Sequence, residues 1–177
     1  MVTLPIERQV DALDEGRAYV DLDDVALTVV AGADARAWLN DLVTTDVETL
    51  GRFETRPSLL LTPTGRIRAS FHVLGLGQRD FVLAQRNDQP ADVADLLAPY
   101  VLSSELTIAP SRLRILAIPG REDAPGWCPG VWRPSALGGG LDLLVDASEG
   151  GALDEVRDRL REEGLEPAGR EAVEARR

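Results

Sequence analysis

Arg68, Ser70 and His72 recur at every second position of the run from Arg66 to Leu74. That period places them, with Leu74, on one face of a strand, while Ile67, Ala69, Phe71 and Val73 turn to the other. A guanidinium, a hydroxyl and an imidazole in one row suit an anionic or heterocyclic ligand. The first is a forked cationic donor, the second donates or accepts, and the third can stack or hydrogen-bond. The same alternation also describes a sheet face turned to water, so the residues alone leave both readings open.

Other chemistries find less support. His72 is the single histidine and Cys128 the single cysteine, so no disulfide and no structural zinc site can be assembled. A Ser-His-Asp triad would have to recruit His72, and no nucleophile elbow accompanies it. Cys128 lies in Gly126-Trp127-Cys128-Pro129-Gly130, where Arg133 could lower its thiol pKa. An inert loop cysteine is the plainer reading. The chain has no lysine and therefore no phosphate loop, and Gly75-Leu76-Gly77 lacks the third glycine of a dinucleotide fingerprint. Asp21, Asp23 and Asp24 have no glycine-centred calcium loop and read as a solvated turn. No catalytic residue and no metal ligand is assigned.

The 177 residues carry a formal net charge of −11, and all 19 basic residues are arginine. Such a surface repels phosphate backbones and anionic lipid, so neither nucleic acid nor membrane is expected as partner. Hydrophobic residues make up 44% and charged residues 28%, the balance of a soluble globular protein. No apolar stretch approaches the roughly 18 residues of a membrane helix. With no visible signal peptide and one cysteine, a reduced, cytoplasmic protein is expected.

The elements that must position the row alternate between strand and helix. Val25 to Val30 is nearly all apolar and β-branched, a strand covered on both faces. Ala35, Trp38, Leu39, Leu42 and Val43 form a helical stripe, with Asp34 placed to cap it. Ser58 to Leu61 and Arg66 to Leu74 are strands joined by the turn Thr62-Pro63-Thr64-Gly65. Phe81 to Gln85 completes a hairpin after Gly75 and Gly77. Pro90 opens a helix striped by Val93, Leu96 and Leu97 and ended by Pro99. Strands follow at Leu106–Ile108, Leu113–Ile118 and Leu141–Val145. A helix through Leu153, Val156 and Leu160 stops at Gly164, and a last one opens at Pro167-Ala168-Gly169. The expected organisation is a lead-in over 1–15, a first lobe over 16–118, a Pro/Gly-rich loop over 119–140, and the rest of a second lobe over 141–177.

Three stretches resemble the aminomethyltransferase folate-binding family, which includes the glycine-cleavage T-protein and the YgfZ-type factor for iron–sulfur enzymes. They are Val29-Val30-Ala31-Gly32-Ala33-Asp34-Ala35 running on through Trp38-Leu39-Asn40-Asp41-Leu42-Val43-Thr44-Thr45-Asp46-Val47, then Leu59-Leu60-Leu61-Thr62-Pro63-Thr64-Gly65-Arg66-Ile67, and Gly164-Leu165-Glu166-Pro167-Ala168-Gly169-Arg170-Glu171-Ala172. The resemblance runs from about Gly16 to the last residue. It implies an α+β fold, with antiparallel sheets and packed helices in two related lobes, and the family's C-terminal barrel absent from this sequence. It implies tetrahydrofolate as ligand and puts the family's contact positions on Ser70, His72, Leu74 and Arg86, with Asn87 adjacent.

The groups at those positions differ from the family pattern. The T-protein's key acidic residue aligns with Ser70, a tyrosine with Pro57 and an asparagine with Arg86. A serine hydroxyl is not ionised at neutral pH and cannot replace a carboxylate in proton exchange. The YgfZ-type cysteine signature would fall beyond the last residue of this sequence, and Cys128 does not replace it. The expectation is a folate-binding-like, non-catalytic auxiliary in one-carbon or iron–sulfur metabolism, with Arg68, Ser70, His72, Leu74, Arg86 and Asn87 as candidate contacts. The alternatives are the N-terminal part of a tetrahydrofolate-dependent aminomethyltransferase, or an interaction module without ligand. The C-terminal segment is a candidate surface for a protein partner or a second copy.

Overall fold

In the computed structural model, which describes residues 5–128, 131–132, 134–148 and 150–176, the chain is mixed α+β. It forms two compact units. One takes the residues up to Leu22 and those from Leu113 onward; the other is the continuous segment Asp23–Arg112. The sequence reading ends its first lobe at residue 118. The units divide instead at Arg112/Leu113, because Leu113–Ile118 pairs with strands of the flanking unit. The 119–140 loop thus lies within that unit.

The Asp23–Arg112 unit contains β2 (Val25–Gly32), α2 (Ala35–Leu42), β3 (Thr55–Leu61), β4 (Ile67–Gly75), β5 (Asp80–Arg86), α3 (Val93–Leu97) and β6 (Leu106–Pro110). Its sheet runs β3-β4-β5-β2-β6 and every pairing is antiparallel. One face carries Ala69, Phe71, Val73, Leu83 and Val30. It packs against Trp38 and Leu39 of α2 and Val93 and Leu97 of α3. The β3–β4 turn forms as its sequence requires: Gly65 adopts φ +79° and donates to the Thr62 carbonyl at 2.9 Å.

One expected cap and one expected helix start are revised. Asp34 makes no side-chain bond to α2; its carboxylate accepts from the Glu105 amide at 2.7 Å, tying the helix start to the approach of β6. The second helix opens at Asp92, not Pro90, since the Asp92 carboxylate accepts from the Ala94 amide. Arg36 holds the loops around α2. Its guanidinium donates to the carbonyls of Val47, Glu48, Leu50, Gly77 and Gln78 and lies over the Phe81 ring.

The flanking unit holds α1 (Ile6–Asp14), β1 (Ala18–Asp21), β7 (Leu113–Ile118), β8 (Val131–Trp132), β9 (Leu141–Asp146), α4 (Ala152–Glu162), β10 (Glu166–Pro167) and α5 (Arg170–Ala175). The sheet order is β10-β1-β7-β9-β8, antiparallel except for the parallel β1–β10 pair. Helix α4 buries Leu160 against Tyr19, Leu116, Ile118, Leu143 and Val145. The sequence reading leaves α1 and β10 unassigned. Each gains its place from contacts remote in sequence: buried Gln9 accepts from the Gly169 amide at 2.7 Å, and the Glu166 amide donates to the Arg17 carbonyl. Among the described residues no helix is long and apolar enough to cross a membrane.

Candidate functional site

The candidate row lies on β4, between β3 and β5. His72 stands opposite Pro57 and Ala84, Leu74 opposite Thr55 and Val82, and Ser70 opposite Leu59. Cross-strand partners share a face, so these residues make up the sheet face away from α2 and α3. The environment closes along the strand: Ser70 is exposed, His72 half-buried, and Leu74 and Val82 are 0% exposed.

Arg68 departs from the row. Pairing jumps from Leu60↔Ala69 to Leu61↔Ile67, leaving Arg68 as the extra residue of a β-bulge. Bulges re-aim side chains. The half-buried Arg68 guanidinium reaches the Tyr100 hydroxyl, in the turn after α3, at 3.5 Å. It makes no ion pair among the described residues, so its charge stays available. Ile67, expected on the apolar face, is 65% exposed at the same irregularity.

The β5 partners of the row also differ. Arg86 lies two residues beyond Ala84 on the same strand face, but its charge is answered by Asp88 at 3.1 Å and Asp24 at 3.5 Å. Asn87 follows the strand, exposed, its amide donating to the Asp24 carbonyl. Where β5 no longer pairs with β4, Gln89 substitutes for a strand. Its amide oxygen accepts from the Ser70 N–H at 2.8 Å and its amide nitrogen donates to the Ser70 carbonyl at 2.6 Å. The Ser70 backbone is thereby fixed while its hydroxyl faces solvent.

The His72 imidazole hydrogen-bonds no described residue, and burial pushes its pKa below the ordinary histidine value. It is neutral at pH 7, with one ring nitrogen donating and the other accepting. Farther in, Thr55 is 2% exposed and its hydroxyl has no partner among the described residues, an orphaned polar atom opposite Leu74. The row from Arg68 to Leu74 contains no carboxylate. Among the described residues the row offers one neutral imidazole and one free hydroxyl, with the Arg68 cation turned out of it toward Tyr100. The row can hydrogen-bond a heterocycle and Arg68 can pair with an anion, but neither supplies an acid–base carboxylate. No group of described residues could hold a metal ion; Asp21 instead pairs with Arg114 and Arg157, and Asp24 with Arg86.

Tyr100, Gln89 and Thr55 escape the sequence reading. Tyr100 and Gln89 follow loops whose path no spacing rule fixes. Thr55 lies just before the segment read as strand, and a single exposed-type residue there gives no signal of burial.

No family model matches the chain, and no curated protein sequence matches it. Among solved structures it is similar to the crystal structure of glycine cleavage system aminomethyltransferase T from Bartonella henselae, with a TM-score of 0.70 at 16% identity. The match covers 93% of this chain and 52% of that one, so the chain spans about half the length of that protein. The fold of this chain is that of a T-protein-like α+β domain.

Proposed function

We propose that this chain is a folate-binding-like protein that does not itself transfer an aminomethyl group, and that it serves as an auxiliary in one-carbon or iron–sulfur cluster metabolism. The observation that carries the reading is the β4 row: on a T-protein-like fold, it presents Ser70 and a neutral His72 without a carboxylate. In this reading His72 and Ser70 hydrogen-bond the pterin, while Arg68 pairs with a glutamyl carboxylate of the folate. Leu74 forms the closed end, and Arg86, already neutralised, sets the rim with Asn87. Transfer chemistry at the folate nitrogen calls for a group that exchanges a proton, and a serine hydroxyl does not ionise at neutral pH.

Calorimetric titration of tetrahydrofolate and 5-formyltetrahydrofolate tests the proposal. The expected dissociation constant is below about 100 μM, equivalent to about −5.5 kcal/mol. Arg68→Ala and His72→Ala should each weaken binding by about tenfold, the size of one charged or one buried hydrogen bond. Absence of heat from the folded chain, or binding indifferent to both substitutions, would refute the assignment.

A further inference from the structure

We propose that a second ligand site, for a small aromatic carboxylate, lies on the unit that contains α4 and β9. A cleft of about 430 Å³ opens there between the end of β9, the start of α4 and Trp127. This is within the size range of small-molecule sites. None of its lining residues belongs to the β4 row.

The cleft has an aromatic wall that is fixed before any ligand arrives. Trp127 is half-buried, and its indole N–H donates to Glu163 at 2.6 Å. Glu163 is in turn held by Arg121 at 2.7 Å, and these two donors keep its carboxyl below the ordinary glutamate pKa against the pull of burial. Two charged side chains thus orient one indole, which costs a ligand little further ordering. Leu144, Ala152 and Val156 supply apolar surface beside it.

Among the described residues the polar groups of the cleft leave a cation under-used, and that points to the chemistry of the ligand. Both lining carboxylates already accept. Asp146 takes the Ser148 amide at 2.8 Å and also the Ser148 hydroxyl, and Glu155 takes Arg159 at 2.8 Å. Arg159 sits over the Trp127 ring, 5.4 Å from its centroid. Of its five N–H groups, one makes a hydrogen bond among the described residues, to a Glu155 whose side chain is 66% exposed. An exposed i,i+4 pair of this kind is screened by water and weak, so Arg159 can exchange it for a ligand oxygen at little loss. The unmet capacity is for an acceptor. An anionic oxygen would take a bidentate pair from Arg159, while a flat ring would lie against Trp127 and the apolar surface.

Fluorine NMR of para-fluorophenylacetate and para-fluorophenylethanol, which share a body and differ in charge, tests the site on the full chain. The carboxylate is expected to bind with a dissociation constant of about 1 mM or tighter, at least about tenfold tighter than the alcohol. Arg159→Gln should erase that preference while circular dichroism shows the fold kept, since the Arg159 side chain is 45% exposed. Trp127→Leu should weaken both compounds. Equal affinity for the two, a preference that survives Arg159→Gln, or no binding of either would overturn the proposal. Folate binding at the β4 row can succeed or fail independently of this result.

Discussion

Asp142 should make this protein more stable as the pH falls from neutral toward 5, against the usual trend of acid destabilisation. It is the second residue of β9, is 0% exposed, and is flanked in the sheet by Ala117 and Trp132. Its carboxylate accepts from the Ser135 hydroxyl at 2.6 Å and the Ala136 amide at 2.8 Å. Among the described residues no cation pairs with it. Burial outweighs the two neutral donors and raises the pKa from 3.8 to about 6. Between those values the folded chain holds a proton that the unfolded chain has lost, so stability declines as pH rises through the window and levels off above it. The difference in pKa corresponds to about 3 kcal/mol lost at neutral pH.

Asp142→Asn isolates that contribution. The carboxamide is neutral throughout, keeps an oxygen for Ser135, and presents N–H donors to the Ala136 amide, forfeiting about 1–3 kcal/mol. The two stability curves should therefore cross. The variant should match or exceed the wild type at about pH 7.5 and fall below it by up to about 2 kcal/mol at about pH 4.5, where the wild type has itself lost only about 1 kcal/mol. Urea titrations followed by tryptophan fluorescence across this range give the comparison. His72 contributes in the opposite sense: its folded pKa is lowered, so its contribution is present above the unfolded histidine value and is lost as pH falls. Glu54, Glu163 and Asp46 are also lowered and act near their own acidic range. All four are common to both proteins and cancel in the difference. A wild-type-minus-variant difference that stays flat within about 0.5 kcal/mol over this range would refute the argument that Asp142 ionises without compensation.

Three further outcomes follow from local geometry. Arg36→Met should cost about 2–4 kcal/mol in urea denaturation, because the stem is kept while five backbone carbonyls lose their shared donor. A change under about 0.5 kcal/mol would mean that water replaces the guanidinium without loss. Gly32→Ala should lose about 3 kcal/mol or fail to fold. At φ +149° its Cβ would lie 2.2 Å from the Glu105 carbonyl oxygen and force β6 off β2, and a normal thermal midpoint would contradict that packing. Leu102→Gly should raise stability by about 0.5–1 kcal/mol, since Leu102 is 89% exposed and held at φ +43°. A lowered midpoint would show that the leucine side chain packs after all.

The local alternation of residues carried most of the architecture. β-Branched runs and period-two spacing located Val25–Gly32, Ile67–Gly75 and Leu141–Asp146, and a 3.6-residue stripe located α2 and α4. These signals are legible because each element buries one face whatever its neighbours are. Helix α1 and strand β10 are not legible locally, although Ile6, Val10 and Leu13 have helical spacing, because their place is fixed by segments about 150 residues away. The unit boundary is hidden from the sequence for a related reason. Pro and Gly content marks where the chain bends, whereas the units are set by which strands pair, and β7 pairs with β1 and β9.

The candidate face shows the same division between local and remote causes. The sequence by itself determined that Ser70, His72 and Leu74 share one side of a strand, because side-chain direction follows backbone period. It also determined that no lysine, no second cysteine and no second histidine exists, which removes whole classes of chemistry. Only the tertiary structure decided that Leu74 is sealed while Ser70 is open, that a bulge turns Arg68 toward Tyr100, and that Asp24 and Asp88 neutralise Arg86. Only it could bring Glu163 and Arg159 to Trp127, and a carboxylate with no cation beside it among the described residues into the interior of a sheet at Asp142. Burial, charge pairing and pKa depend on what surrounds a group in space, and that neighbourhood is drawn from residues the local sequence does not contain.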